Sequence, residues 1–131
     1  GLNGKDGANG VSIKGDQGPA GVDGAAGETK NRIVYEYKDP KDPSQTIKED
    51  VATLNDGLKF AGDDGQTDSS KVIAKKLNQQ VDIVGGADKD KLTDNNIGVN
   101  NDNGKLKVQL AKDVNLTKDG SLTIGDTVVK V

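Results

Sequence analysis

Glycine recurs at every third position near the start of the chain, at residues 1, 4, 7 and 10 and again at 15, 18, 21, 24 and 27, with one slip across Val11-Ser12-Ile13-Lys14. Period-three glycine is the mark of polyproline-II strands packed in threes around a common axis, where any Cβ would collide. The pattern assigns axial packing to Gly4, Gly7, Gly10, Gly15, Gly18, Gly21 and Gly24. Only Pro19 accompanies these glycines, whereas a stable collagen helix needs ~15–20% proline or hydroxyproline. Residues 1–30 therefore predict a short three-chain connector rather than an autonomous collagen helix. Val11 and Ile13, inside the slip, would form a small buried layer that sets its register.

The remaining residues offer little material for a core. Of 131 residues, 31% are hydrophobic, and Tyr35, Tyr37 and Phe60 are the only aromatics. Such a chain buries too little surface to offset roughly 1–2 kcal/mol of backbone entropy per ordered residue. It must share a core with copies of itself or remain partly disordered, and the alternating segments below favour sharing. The formal net charge is −3, with the signs interspersed. No basic stripe exists to bind nucleic acid. Cysteine is absent, which excludes disulfides and thiolate metal sites. The chain begins with glycine and contains no signal peptide and no apolar run of ~18 residues, so it reads as a piece of something longer.

Local pattern predicts a mainly β chain. Residues 32–37 (RIVYEY) are β-branched and aromatic and read as a strand. Residues 38–44 (KDPKDPS) form a turn, because two prolines fix φ and remove donors. The return from Thr46 to Phe60 is read as strand, although Ile47, Val51 and Leu54 also fit helical spacing. Residues 62–65 (GDDG) mark another turn. Ile73, Leu77 and Val81 recur at i, i+4 and i+8, which predicts a short helix, with a strand from Val81 to Val84. Residues 105–110 (KLKVQL) alternate without error after the turn-forming NDNG at 101–104. Residues 121–131 repeat the habit after the turn at 118–120. The domain division expected is a connector over 1–30, a β module over 31–70 and a second β module over 71–131.

Catalysis finds little support in the residue types. There is no histidine, so the commonest general base is missing along with the thiolate nucleophile. Carboxylate pairs exist at Asp63-Asp64, Glu49-Asp50 and Asp88 with Asp90, but a glycosidase pair needs burial to raise one pKa. Solvated turn carboxylates are the simpler reading, and no enzymatic activity or cofactor is expected. The oxygen-rich stretches at 88–90 and 100–104 do not fit a calcium loop: counting back from Gly104 puts Val99 first, and no glutamate stands at the twelfth position. No metal is expected. Asn115-Leu116-Thr117 matches a glycosylation triplet, a motif short enough to arise by chance and expected to matter only in a eukaryotic secretory context.

Longer phrases carry a resemblance. Asn31 to Glu36 (NRIVYE) and Val51 to Asp63 (VATLNDGLKFAGD) resemble a recurrent lead-in of the trimeric autotransporter adhesins, the fibrous surface proteins of Gram-negative bacteria. Val72 to Ala87 (VIAKKLNQQVDIVGGA), Asn96 to Val99 (NIGV) and Gly104 to Val114 (GKLKVQLAKDV) are similar to their β-prism modules of the Trp-ring or GIN kind, and residues 4–10 (GKDGANG) to their glycine-triplet connectors. The resemblance implies an elongated, intertwined parallel homotrimer, with Val108 and Leu110 among the residues packed toward its axis. It departs from the family in one respect: with no tryptophan, the eponymous ring cannot be carried over.

The function this implies is a structural and adhesive segment of a bacterial surface fibre, involved in virulence. It would be held to the outer membrane only by a C-terminal anchor outside this sequence. Its partners would be its own copies and a host receptor or extracellular-matrix protein, with no nucleic acid. Binding would draw on the exposed turns, at Lys38, Pro40, Lys41 and Pro43 and at Asp63, Asp64 and Gln66, since recognition concentrates in loops. A pure spacer without ligand and a trimeric phage tail-fibre segment are the alternatives.

Overall fold

The computed structural model describes residues 10–131; Gly4 and Gly7 lie outside that range. The described residues form nine β-strands and two three-residue 3-10 turns. The fold is mainly β, as expected, and is built from small antiparallel sheets. Two compact units divide the chain, one running to Asp82 and the other spanning Ile83–Val131.

In the first unit, β1 (Ser12–Pro19), β2 (Thr29–Lys38) and β3 (Thr46–Asp50) make a three-stranded sheet with β2 in the middle. β1 corrects the expectation of a polyproline-like connector over these residues. All its residues pair with β2, from Ser12 opposite Glu36 to Pro19 opposite Thr29. The ladder satisfies backbone groups that polyproline II leaves to water. Glycine at positions 15 and 18 does not prevent this, and Pro19 occupies the strand end, where a missing N–H is tolerated.

The β2–β3 turn lies where the two prolines predict it. Asp39 donates its N–H to Gln45 at 3.0 Å, and Gln45 donates to Asp42 at 2.9 Å. The strand reading of the return segment holds in two pieces, β3 and then β4 (Gly57–Phe60), separated by a turn in which the Asp56 N–H donates to Thr53. β4 pairs with β5 (Ile73–Lys76). The helix expected around Ile73 is absent. Ile73 instead lies opposite Phe60, Leu77 donates to the Asp56 carbonyl at 2.7 Å, and Asn78 follows with φ of 70°. A left-handed residue cannot sit inside a right-handed helix. The strand expected over residues 81–84 does not form either; those residues carry no regular structure. The β4–β5 ladder also spans the boundary expected between residues 70 and 71.

The second unit contains two hairpins. β6 (Ile97–Asp102) and β7 (Lys105–Leu110) turn at Asn103 and Gly104, whose φ values of 52° and 86° are those of a two-residue primed turn. This is the turn the sequence predicts. β8 (Ser121–Ile124) and β9 (Thr127–Lys130) turn at Gly125 and Asp126, so the terminal alternating stretch is a hairpin.

Candidate functional site

The most connected side chain of the first unit is Arg32, the only arginine in the sequence. It sits in the middle of the central strand and is 6% exposed. Its Nε donates to the Pro19 carbonyl at 2.7 Å, one terminal nitrogen to the Val51 carbonyl at 3.2 Å, and the other to the Ala20 carbonyl at 3.3 Å. Both terminal nitrogens also hold the Asp56 carboxylate in a fork, each at 2.6 Å. All five donors of the guanidinium are thereby used. Asp56 in turn accepts the Thr53 N–H at 2.7 Å. The guanidinium first, and then that N–H, hold its carboxyl well below the usual carboxylate range. The group with the largest displacement is thus a clamp between β1, β2 and the chain after β3. A saturated arginine has nothing left for a ligand.

Sequence reasoning missed this clamp. A signal was present: a single arginine in a chain whose other cations are all lysine, set at the head of the strand run Ile33-Val34-Tyr35. Lysine has three donors on a point charge and cannot reproduce the fork.

A second pin lies in the other unit. Asn96 is 8% exposed. Its amide nitrogen donates to Thr93 Oγ1 at 2.8 Å and to the Asn115 carbonyl at 3.0 Å, and its oxygen accepts the Asn115 N–H at 2.9 Å. The buried amide thus joins the approach to β6 to the chain beyond β7. It too was missed, because Asn96 looks like one more turn residue in an asparagine-rich stretch.

Hydrophobic side chains are arranged differently. Val34, at 0% exposure, is the only buried hydrophobic residue among those described. Register places those in the two-stranded sheets mostly on open faces, since side chains alternate across a sheet and directly paired residues share a side. In the β6–β7 hairpin, Ile97, Val99, Leu106, Val108 and Leu110 occupy one face and are 54 to 78% exposed. The opposite face carries Asn100, Asp102, Lys105, Lys107 and Gln109, with Lys107 and Asp102 paired at 3.7 Å. β8–β9 sets Leu122, Ile124 and Val129 on one face, and β4–β5 sets Leu58, Phe60 and Ile73. All are exposed. On the three-stranded sheet, Ile13, Ile33, Tyr35, Tyr37 and Ile47 share a face, the tyrosine rings stacked at 6.0 Å, while Arg32 and Val34 point to the other. Each two-stranded sheet therefore has an apolar side that its own chain leaves uncovered, while on the three-stranded sheet Ile13 and Ile33 are exposed and Tyr35, Tyr37 and Ile47 are half-buried.

The residues expected to pack on an axis fall into separate settings. Val108 and Leu110 lie on the uncovered β7 face. Gly10 opens the described chain, just before β1. A Cβ at Gly15 would meet nothing within 4 Å, whereas at Gly18 it would stand 2.8 Å from Asp50 Oδ1 and at Gly21 2.5 Å from the Asn55 carbonyl oxygen. Gly21 is thus required by the close approach that lets the Val22 N–H reach that same carbonyl. At Gly24 the neighbour would be the Ala20 methyl, at 2.5 Å.

The expected contact loops occupy two turns. Lys38 ends β2, and Pro40, Lys41 and Pro43 follow it, all exposed. Asp39 and Asp42 brace this turn from within by accepting the N–H groups of Lys41 and Ser44. Asp63, Asp64 and Gln66 flank buried Gly65 in the connection from β4 to β5, beside Asp68, which caps the second 3-10 turn. The Ser70 hydroxyl first, and then its N–H, lower the pKa of Asp68. No hydrogen bond or ion pair joins the two turns among the described residues. Asp88 and Asn101 act as turn formers, accepting from the N–H groups of Asp90 and Gly104. Among the described residues no cluster of three or more acidic side chains is gathered for a metal, and no helix is long and apolar enough to cross a membrane.

The chain matches no protein-family model, no curated protein and no solved structure.

Proposed function

We propose that this chain is a structural and adhesive part of a bacterial trimeric surface fibre of the autotransporter type, without enzymatic activity, in which parallel copies of the chain cover one another's apolar faces. The observation that carries the reading is the distribution of hydrophobic residues. One valine is buried among the described residues, while every two-stranded sheet keeps an apolar side open and Ile13 and Ile33 stand exposed on the three-stranded one. A single ligand would cover one patch. Copies of the same chain can cover all of them, and a two-stranded hairpin needs such cover to be stable in water. The displaced carboxylate Asp56 is consumed by Arg32, which supports a scaffold rather than a reaction centre. Adhesion would rest on the braced turns around Pro40 and Pro43 and around Asp63 to Gln66, repeated in each copy, so that avidity supplies strength.

Light scattering in solution tests the assembly, with three chain masses expected. A single-chain mass combined with a cooperative melt overturns it. Attachment of the intact fibre to host cells tests adhesion, with loss expected when residues 38–44 and 63–70 are replaced by alanine.

A further inference from the structure

The sequence contains one Asn-X-Ser/Thr triplet, Asn115-Leu116-Thr117, and the assembly proposed above makes no use of it. The triplet lies in the connection between β7 and β8, with Asn115 and Thr117 both exposed. Its first residue is held by the main chain. The Asn115 N–H and C=O are both taken by the buried Asn96 amide, at 2.9 and 3.0 Å. The Asn115 side chain makes one contact of its own, its Oδ1 accepting the Thr117 N–H at 2.9 Å. Its Nδ2 and the Thr117 hydroxyl donate to no described residue.

Thr117 adds an independent observation. It adopts φ of 68°, a left-handed conformation that a β-branched residue reaches only with strain. Glycine or asparagine would make the same turn more easily. The position nevertheless holds the residue whose hydroxyl the triplet requires.

We infer that Asn115 is a glycan attachment site. Its Nδ2 displaces the carrier diphosphate from the anomeric carbon of an activated sugar: the Nδ2–C1 bond forms, the C1–O bond to the diphosphate leaving group breaks, and the nitrogen gives one proton to a base of the transferase. The co-substrate is a glycosyl diphosphate, with either a nucleotide or a lipid as its carrier. The Asn96 clamp holds the acceptor in place, and Thr117 supplies the hydroxyl by which a transferase recognises the triplet. The inference stands whether or not the chain assembles in threes.

Peptide mass mapping of the protein purified from the cells that make it tests this. The peptide containing Asn115 is expected to carry added hexose mass. A single sugar indicates a nucleotide-linked donor, and a preassembled oligosaccharide a lipid-linked one. Asn115→Gln and Thr117→Ala should each lose the modified peptide, while Thr117→Ser should keep it. Circular dichroism of each variant is expected to match that of the unaltered protein, the hairpins being kept. Recovery of the bare peptide alone from the unaltered protein, or full modification in Thr117→Ala, overturns the assignment.

Discussion

The three-stranded sheet of the first unit and the paired hairpins of the second differ in what holds them. β2 is laddered on both sides and carries Val34, wholly buried, and Arg32, whose five donors bind three strand-end carbonyls and a carboxylate. β6 to β9 form two separate ladders of two strands each, and every residue in those strands is exposed. The one buried polar pin of that unit, Asn96, ties connections together rather than packing a sheet. Both regions share the alternating pattern. A strand with two neighbours and a saturated ionic clamp holds itself, whereas a hairpin with one apolar face depends on what covers that face.

The largest expected effect breaks this contrast at the dependent region. Val108→Asp combined with Leu110→Lys sets charge into the open β7 face and should reduce the proposed assembly to single chains by light scattering. Hydrogen exchange should show protection lost over β6–β9 but kept over β2. An unchanged mass would remove that face from the contact.

Arg32→Met should do the converse. It leaves the Pro19, Ala20 and Val51 carbonyls and the Asp56 carboxylate without their partner, and a buried group stripped of its partner costs more than the bond was worth. Exchange protection over β1–β3 is expected to collapse while that of the β6–β7 ladder persists. Arg32→Lys should rescue little, because three donors cannot replace five.

Asn96→Ala is a smaller perturbation confined to the second unit. It should cost about 1–3 kcal/mol, the usual price of orphaning buried backbone groups, read by denaturant titration. The exchange of the Asn115 amide should accelerate most.

The smallest effect is a pH dependence that belongs to the first unit. Asp56 has a folded-state pKa below its ordinary value, so the stability it contributes is present above the unfolded value, about 3.9, and is lost as pH falls further. Asp56→Asn should therefore melt below the unaltered protein at neutral pH. The gap should narrow steadily below about pH 4, and a constant gap would argue against the carboxylate as its source.

Much of the β content was legible because it is local. KLKVQL after NDNG specifies an alternating hairpin with a primed turn, and the two prolines between Tyr37 and Thr46 specify the β2–β3 connection. Glycine spacing misled because it records only the absence of side chains. In β1 the same glycines are accommodated by a partner strand, and Gly21 answers to the Asn55 carbonyl. The Ile73, Leu77 and Val81 spacing failed as a helix because Phe60, on the preceding strand and outside the helical window, claims Ile73 and because Asn78 turns left-handed. The Arg32–Asp56 clamp was invisible for a similar reason, since it joins residues of different elements through groups that look ordinary one at a time.

Alone, the sequence determined that this chain is rich in strands, poor in bulky apolar volume and without histidine or cysteine, because composition and period-two alternation are properties of short windows. Only the tertiary structure decided that β1 joins a sheet, that the single arginine is spent on a clamp, and that the apolar sides remain open. Each of those depends on which distant segments meet, and hydrogen bonds and contacts between them are not written in any one window.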